Sequence, residues 1–293
     1  MKFAVIIPCY KVKFKVLKLV DECINLFEHV VVVDDCCPQK SGKYVLENIK
    51  SKKLKIIFNK KNLGVGGAIK NGIKHLKNKN FDIATKLDGD GQIKSKDAYK
   101  ISRILYYSNC DYANGNRFNF KTKKNNIPMS RWYLNKLISI YGKLCLGKYE
   151  INDYLNGLVS LKKKCIEKID FSKVRNDFFF ESDLIYQLRI KNLKVMTHPI
   201  KIKYFKEKSN FKPSKEFLKF LMLYARRFFQ RVLKNYFLKS FYFPSLVFMS
   251  TVLLNLYYLL THVEKNISFF LVGNFFLITI FFISDYFNNK NEN

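Results

Sequence analysis

The sequence predicts an α/β domain with a mainly parallel sheet, followed by an amphipathic helix and a two-helix transmembrane hairpin. Three observations support this fold class. Short apolar segments of strand length alternate with segments of helical periodicity through the first two-thirds of the chain. Polar clusters directly follow several of the predicted strands. Two long apolar runs without formal charge lie near the C-terminus.

Strands and helices alternate in order along the first part of the chain. Strands are predicted at residues 3–7, 29–33, 54–58, 81–87 and 195–205. Helical spacing is found at residues 17–27, 97–107 and 129–146. The segment 62–67 opens a further helix that continues to Leu76, and the segment 177–183 leads into a helix that ends at Ile190. This alternation indicates βαβ units, whose right-handed crossovers bring the carboxyl ends of the strands to one edge of the sheet.

Three polar clusters are expected at that edge. Pro8 and Tyr10 follow the first strand, Asp34-Asp35 follows the second, and Asp88 and Asp90 follow the fourth. Open α/β sheets bind ligands at the carboxyl ends of their strands. We therefore expect these clusters to form one binding site.

The segment Asp88-Gly89-Asp90-Gly91-Gln92 is a candidate metal site. In an extended segment, residues i, i+2 and i+4 point to one side, so Asp88, Asp90 and Gln92 could present oxygens to one point. Oxygen ligands in small number suit Mg²⁺ or Mn²⁺, with positions left for water and substrate phosphates. A surface turn is the alternative, because Asp and Gly are the usual turn residues.

Other polar residues have both a functional and a structural interpretation. Asp34-Asp35 could accept hydrogen bonds from a base or a ribose, or could cap a helix. Asn62 and Gly64 open a helix whose N-terminus could approach a diphosphate, although close packing explains the glycines equally well. Glu181 and Asp183 are candidate bases that would also complement the dipole of their helix.

Three cations are candidate phosphate partners. These are Arg117, Lys206 and Lys208, and the alternative for each is a solvated surface charge. The chain has 53 Lys and Arg against 23 Asp and Glu, a net charge of +30, which fits nucleic acid, anionic lipid or phosphorylated substrates. No nucleic-acid-binding motif is present, so nucleic acid is not an expected partner. Seven cysteines without a C-x-x-C spacing indicate a reducing compartment.

The C-terminal third has a different composition. Residues 213–240 mix Lys and Arg with Phe, Leu and Tyr, which suits a bilayer interface, or alternatively a helix that covers the core. Residues 241–260 and 267–284 could each cross a membrane, with Asn255 and Asn274 as helix–helix contacts. The preceding basic segment predicts that both ends lie in the cytoplasm. A hairpin that dips in without crossing is the alternative.

Four regions follow from these patterns: a catalytic domain at 1–212, amphipathic juxtamembrane helices at 213–240, two transmembrane helices at 241–285 and a polar tail at 286–293. The predicted location is the inner, cytoplasmic membrane, as a multi-pass protein with its catalytic domain in the cytoplasm. The sequence leaves open whether the chain forms a homo-oligomer.

The motifs together resemble the inverting family-two glycosyltransferases of the Rossmann-like GT-A fold. The resemblance rests on the runs Val5–Tyr10, Val31–Asp35, Asn62-x-Gly64 and Asp88–Gln92, and covers roughly residues 3–120. Further segments are similar to the dolichyl-phosphate mannosyltransferase-like branch, namely Gly115–Phe118, Asp153–Gly157 and Lys208-Ser209. Membrane-anchored bacterial members of this branch have two C-terminal transmembrane helices.

The resemblance implies a role for each matching residue. The residues expected to bind the nucleotide sugar are Pro8, Tyr10, Asp34, Asp35, Asn62, Gly64, Asp88 and Arg117. Asp90 and Gln92 are expected to hold Mg²⁺ or Mn²⁺ on the diphosphate. Arg117, Lys206 and Lys208 are expected to contact the acceptor phosphate. Three positions depart from the pattern of this branch: Val12 stands where an acidic residue is usual, and Ser160 and Lys206 stand where arginines are usual. These differences affect the phosphate-acceptor assignment more than the nucleotide-sugar assignment.

Three functions are compatible with these residues. The first is metal-dependent transfer of a sugar from a UDP- or GDP-linked donor to a polyprenyl-phosphate carrier beside anionic membrane lipid. The second is transfer to a hydroxyl of a lipid-linked glycan or cell-envelope polysaccharide, which needs a base such as Asp153, Glu181 or Asp183. The third is a non-catalytic membrane scaffold.

Overall fold

The computed structural model describes residues 1–118, 128–203, 213–239, 243–261 and 267–291. Seven strands form one sheet in the order β3-β2-β1-β4-β6-β5-β7. The strands are β1 (Phe3–Cys9), β2 (His29–Asp34), β3 (Leu54–Phe58), β4 (Ile83–Lys86), β5 (Tyr112–Asn116), β6 (Val159–Lys162) and β7 (Val195–Pro199). The predicted α/β fold with a mostly parallel sheet is confirmed.

The parallel register brings the ends of the central strands together. Cys9 on β1 pairs with Asp34 on β2, and Ile6 pairs with Lys86 at the end of β4. β6 runs antiparallel between β4 and β5, a direction that the sequence did not predict. The loop before β6 therefore reaches the same edge as the carboxyl ends of β1, β2 and β4.

Helices cover both faces of the sheet. The helices of this domain are α1 (Lys13–Leu26), α2 (Ser41–Asn48), α3 (Gly64–Leu76), α4 (Ser95–Tyr107), α5 (Met129–Leu146), α6 (Lys163–Lys168) and α7 (Phe180–Ile190). One core cluster lies between the sheet and α3, α5 and α7, and the other between the sheet and α1 and α4. Strand residues alternate between them, because successive side chains of a strand point to opposite faces. Helices α2 and α6 were not predicted from the sequence.

The C-terminal part consists of α8 (Pro213–Val232), a π-helical segment (Leu233–Lys239), α9 (Phe243–Thr261) and α10 (Ile267–Asn291). In the described part of the chain, one helix is long and apolar enough to cross a membrane, at Phe270–Asn288. A second span would be counted only if Glu216–Leu238 and Phe243–Tyr258, which meet at 119°, formed one bent span. The two-helix transmembrane hairpin is therefore not confirmed.

Two details of this region bear on the sequence predictions. Asn255 donates a hydrogen bond to Asn274 over 2.7 Å, so these residues do join α9 to α10. Helix α10 continues to Asn291, so it includes much of the region predicted as a polar tail from residue 286. The helix has no break at the predicted end of the second span, Ser284.

Helix α8 has two apolar faces. Phe220 and Tyr224 are buried in the core cluster beneath the sheet, as expected for a helix that covers the core. Leu218, Met222 and Phe229 are exposed, as expected for an interfacial helix. The buried face agrees with a helix that covers the core, and contact of the exposed face with a bilayer stays a prediction.

Candidate active site

The polar clusters that follow β1, β2 and β4 lie next to one another. The backbone N–H of Asp35 donates to the carbonyl of Cys9 over 3.1 Å. A Cβ added to Gly89 would lie 2.9 Å from the carbonyl oxygen of Pro8, so the acidic turn packs directly against the end of β1. Tyr10, half-buried, follows at the same edge.

The Asp88–Gln92 segment forms a turn, and not the extended segment in which the three side chains would point to one side. The Asp90 carboxylate accepts a hydrogen bond from the backbone N–H of Gln92 over 3.0 Å. Gly91 has a φ of 68°, a value that glycine adopts without strain. Asp88, Asp90 and Gln92 are all half-buried at the mouth of this turn.

Asp90 lies where negative charge is unfavourable. Burial, followed by the charge of Asp88, raises the pKa of Asp90 from its usual 3.8 to about 6. Lys15 on α1 and Lys86 act in the opposite direction without cancelling the rise. A cation bound at Asp90 would relieve this repulsion.

Lys86, at the end of β4, is buried beneath the acidic turn. Its Nζ lies 2.6 Å from Asp88 and 2.8 Å from Glu181, and donates to the carbonyl of Gly157 over 3.0 Å. Burial by itself lowers the pKa of Lys86, but the two carboxylates outweigh burial and raise it, so the ammonium stays charged. Lys86 thereby fixes one oxygen of Asp88.

The two acids after β2 hold backbone loops. Asp34 accepts hydrogen bonds from the N–H groups of Cys37 (2.7 Å) and Gly42 (2.6 Å), and so anchors the start of α2. Asp35 accepts from the side chain of Asn59 (2.7 Å) and from the N–H groups of Leu63 (2.9 Å) and Gly64 (2.8 Å). Both carboxylates lie at the predicted edge, where they shape the loops around it.

The glycines that open α3 allow close packing. A Cβ on Gly64, whose φ is 81°, would lie 2.5 Å from the carbonyl oxygen of Asn176, and Gly66 donates to the same carbonyl over 2.8 Å. Asn62 accepts from the N–H of Gly64 over 3.0 Å. These contacts match the packing interpretation of the glycine cluster and join α3 to the loop before α7.

Arg117 and Asp153 form a second group beside the acidic turn. The guanidinium of Arg117 makes a bidentate pair with the fully buried Asp153, with both N–O distances 2.7 Å, and also donates to the carbonyl of Leu155 over 2.9 Å. A Cβ on Gly157 would lie 1.7 Å from an oxygen of Asp88, so only glycine fits there. The loop 153–157 thus joins Arg117 to Asp88.

The remaining candidates differ in position. Glu181 faces Lys86 inside the site, whereas Asp183, two residues later, points to α8 and pairs with Arg227 over 2.8 Å. Burial raises the pKa of Glu181, and Lys86 opposes that rise. Lys206 and Lys208 lie outside the described residues.

The acidic turn fits a divalent cation that a substrate also binds. Within the described residues, no group of three or more His, Cys, Asp or Glu side chains could hold a metal ion alone. Mg²⁺ and Mn²⁺ prefer oxygen ligands, which one carboxylate and one amide of the protein could supply together with phosphate oxygens and water. The half-buried carboxylate of Asp90 beside the charge of Asp88 is the arrangement that supports a cation there.

Sequence reasoning missed Lys86 and Lys15. A lysine at the end of a buried strand, two residues before an aspartate and therefore on the same side of the chain, was an available signal for Lys86. Lys15 is placed near Gly91 by the packing of α1, and no local pattern identifies it.

The comparisons with solved structures support this fold. Glucosyl-3-phosphoglycerate synthase from Mycobacterium tuberculosis, in complex with Mn²⁺, uridine diphosphate and phosphoglyceric acid, superposes with a TM-score of 0.55. The alignment covers 80% of this chain and 78% of the synthase at 9% identity, and therefore shows a shared GT-A-like fold alone.

Several archaeal proteins are similar in sequence. An uncharacterized protein of Methanocaldococcus jannaschii is 27% identical over 73% of this chain and 93% of its own length. A dolichol-phosphate mannosyltransferase of Pyrococcus furiosus is 26% identical over 59% of this chain, and this chain spans half of it. A UDP-N-acetylglucosamine–dolichyl-phosphate N-acetylglucosaminyltransferase of Methanococcus voltae is 26% identical over 55% of this chain and 70% of its own length.

A match to a protein-family model identifies the family of this chain. The model described as glycosyl transferase family 2 matches residues 4–170, more than half of the chain, and includes Pro8, Asp35, the acidic turn, Arg117 and Asp153. With the GT-A-like fold and glycosyltransferases among its relatives, the chain belongs to glycosyl transferase family 2 and is a glycosyltransferase.

Proposed function

We propose that the protein transfers a sugar from a UDP- or GDP-linked donor to a polyprenyl-phosphate carrier at a membrane surface, with inversion at the anomeric carbon. The observation that carries the choice of acceptor is the pairing of the three candidate bases. Asp153 pairs with Arg117, Glu181 with Lys86 and Asp183 with Arg227.

An alcohol acceptor requires a base that removes its proton, whereas a phosphate acceptor is already anionic at neutral pH. Asp153 and Asp183 are poor bases, because each is buried and protonation would break its ion pair with a guanidinium. Burial raises the pKa of Glu181, but its contact with the Lys86 ammonium opposes proton uptake. The two relatives whose names state an acceptor act on dolichol or dolichyl phosphate. These facts favour a phosphate acceptor over the hydroxyl of a lipid-linked glycan or cell-envelope polysaccharide.

The roles of the residues follow from their positions. Pro8, Tyr10 and Asp35 would surround the nucleoside, with Asp34, Asn62 and Gly64 supporting the adjacent loops. Asp90 and Gln92 would hold Mg²⁺ or Mn²⁺, which would neutralise negative charge on the departing diphosphate. A phosphate oxygen of the acceptor attacks the anomeric carbon, the bond from that carbon to the diphosphate breaks, and the nucleoside diphosphate leaves.

Among the cationic side chains that the structure describes, Arg117 is the one best placed to bind a phosphate. Asp153 and the carbonyl of Leu155 orient its guanidinium, and the loop that carries them touches Asp88. A preoriented guanidinium binds phosphate with a defined geometry. Lys206 and Lys208 remain predicted phosphate partners.

Membrane attachment is part of the proposal. Helix α10 is the candidate span, and the outer face of α8 is apolar. Helix α5 has a second exposed apolar stripe, formed by Met129, Tyr133, Leu137 and Ile140. We propose that these surfaces contact the bilayer on its cytoplasmic side, where anionic lipid would attract the basic chain. The multi-pass topology and the bacterial type of anchoring remain predictions.

Radiolabelled donors test the proposal. Membranes containing the full chain are incubated with labelled UDP- and GDP-sugars, with and without Mn²⁺ or Mg²⁺, and the lipid fraction is extracted. We expect metal-dependent label that mild acid releases, because a sugar phosphodiester is acid-labile. Label that resists mild acid would indicate a hydroxyl acceptor, and absence of label from every donor would contradict the proposed function.

A further inference from the structure

Three consecutive residues of α7 have buried polar side chains with three different partners. Glu181 pairs with Lys86 over 2.8 Å, Ser182 shares a hydrogen bond with the hydroxyl of Tyr224 over 2.6 Å, and Asp183 pairs with Arg227. Successive helical residues point about 100° apart, so one turn of α7 faces both the active site and α8. All three side chains are buried.

Two side chains of α8 contact this turn of α7 in a defined geometry. The guanidinium of Arg227 contacts both oxygens of Asp183, over 2.8 and 3.0 Å, and lies 4.9 Å from the ring centre of Tyr186. Tyr224 is fully buried, and a Cβ on Gly142 would lie 2.8 Å from its ring. A bidentate ion pair and a tightly packed tyrosine fix the position of a helix more closely than apolar contact alone.

The other end of α8 is fixed to α10. Arg231 donates to Asp285 over 2.6 Å and to the carbonyl of Cys145, at the end of α5, over 3.0 Å. Tyr149 donates to the same carboxylate over 2.9 Å. Arg231 and Asp285 are both fully buried. Helix α8 is therefore held both by the catalytic domain and by the candidate membrane span.

The contact continues from α7 to the acidic turn. Glu181 and Asp88 share the ammonium of Lys86, which also donates to the carbonyl of Gly157. If α7 moved away, Lys86 would lose one of its two carboxylate partners. Asp88 and the loop that holds Arg117 would then lose a fixed support.

We infer that α8 is a positioning element of the active site: through Tyr224 and Arg227 it sets α7 so that Glu181 holds Lys86 against Asp88. This inference rests on the proposed function, in which the acidic turn holds the metal and the diphosphate. Tyr224 and Arg227 are positioning residues, because their partners on α7, Ser182 and Asp183, are not among the residues proposed to hold the metal or the diphosphate. The C-terminal helices thus contribute to donor binding as well as to membrane attachment.

The test measures metal and nucleotide binding by the full chain in detergent. Titration calorimetry gives the affinity for UDP and GDP at fixed Mn²⁺, and the Mn²⁺ concentration for half-maximal binding. We expect Tyr224→Phe and Arg227→Gln to raise the half-maximal Mn²⁺ concentration by about three- to tenfold, as expected for weakening a single buried contact. Arg226→Gln, at the exposed neighbouring cation on α8, is the matched control and should change nothing.

Two further variants separate positioning from a general loss of stability. Ser182→Ala removes the hydrogen bond of Tyr224 from the α7 side and should reproduce the effect of Tyr224→Phe. In a Lys86→Met background the Tyr224→Phe change should have little additional effect, because the residue through which it acts is gone. Arg227→Lys should recover part of the binding.

Each outcome is decisive. Equal Mn²⁺ dependence in Tyr224→Phe, Arg227→Gln and Arg226→Gln would overturn the inference, as would full additivity of Tyr224→Phe with Lys86→Met. If the wild-type chain binds neither UDP nor GDP with Mn²⁺, the proposed function fails and the inference fails with it. If the wild-type chain binds the nucleotide with Mn²⁺ and the variants bind it equally well, the inference is wrong and the proposed function is unaffected.

Discussion

Replacing Asp90 with asparagine should make the metal-free protein more stable while removing its response to metal. The pKa of Asp90 rises from its usual 3.8 to about 6 in the folded protein, because burial and Asp88 disfavour its charge. Each tenfold change in a protonation constant corresponds to about 1.4 kcal/mol, so the ceiling is about 3 kcal/mol. Asp90 is half-buried and partly screened by solvent, so we expect about 1–2 kcal/mol for Asp90→Asn at neutral pH.

The sign of the pH dependence follows from linkage. Between about pH 4 and pH 6 the folded state binds more protons at Asp90 than the unfolded state does, so stability falls as the pH rises through this window. Above about pH 6, the loss of folding stability caused by the charged Asp90 carboxylate no longer changes with pH. Asp90→Asn has no charge to lose, so its advantage over wild type should be present at pH 8 and absent near pH 4.

Thermal unfolding of the full chain in detergent measures both effects. At pH 8 in EDTA, Asp90→Asn should melt a few degrees above wild type, since 1 kcal/mol shifts Tm by roughly 2–4 °C in chains of this size. Mn²⁺ with UDP or GDP should raise the Tm of wild type only. Asp21→Asn, at an exposed carboxylate on α1, is the control. An Asp90→Asn protein no more stable than wild type at pH 8, or one that still responds to Mn²⁺ and nucleotide, would refute the reasoning.

Three further predictions concern other parts of the molecule. Asp153→Asn should lower kcat by about ten- to a hundredfold, because Arg117 loses the bidentate partner that orients it; unchanged kinetics would contradict that role. Trp132, the sole tryptophan of the chain and half-buried beside the apolar stripe of α5, should be quenched by brominated lipids in nanodiscs; quenching by a water-soluble agent alone would exclude bilayer contact. Arg231→Met should destabilise the protein by about 3–5 kcal/mol, because Asp285 stays buried without its cation, and Asp285→Asn in the same chain should recover part of the loss; a small effect in the unfolding assay would show that the pair is solvated.

Local sequence determined much of this fold. The apolar runs at β1, β2 and β4 are short and end in polar residues, which predicted both the strands and the edge at which they meet. The helical pattern of α5 gave its bounds, Met129–Leu146, directly. Strand β6 has only four residues, and its antiparallel direction depends on pairing with β4 and β5, which no local pattern encodes.

The candidate site was predictable in its parts but not in its pairings. Spacing brought Pro8, Asp35 and Asp90 to one edge, because those residues are fixed to strand ends. The sequence left an extended segment and a turn open at Asp88–Gln92, because a repeat of Asp and Gly fits both, and the structure has a turn there with a positive φ at Gly91. Lys86 appeared as one of many lysines, and only its burial between two carboxylates distinguishes it.

The pairings decide what each acid of the site can do. Asp153, Glu181 and Asp183 have ordinary spacings in the sequence, and their cations come from Arg117, Lys86 and Arg227, in distant parts of the chain. A carboxylate with its own buried cation is suited to orient that cation, since proton uptake would cost the ion pair. Burial raises the pKa of both Asp90 and Glu181, but the strongest charged neighbour of Asp90 is the carboxylate of Asp88, whereas that of Glu181 is the ammonium of Lys86. A divalent cation therefore gains most at Asp90, whereas the paired acids gain little from one. The same physical difference separates the metal-binding role that we propose for Asp90 from the supporting roles that we propose for the paired acids, and it favours an acceptor that supplies its own negative charge.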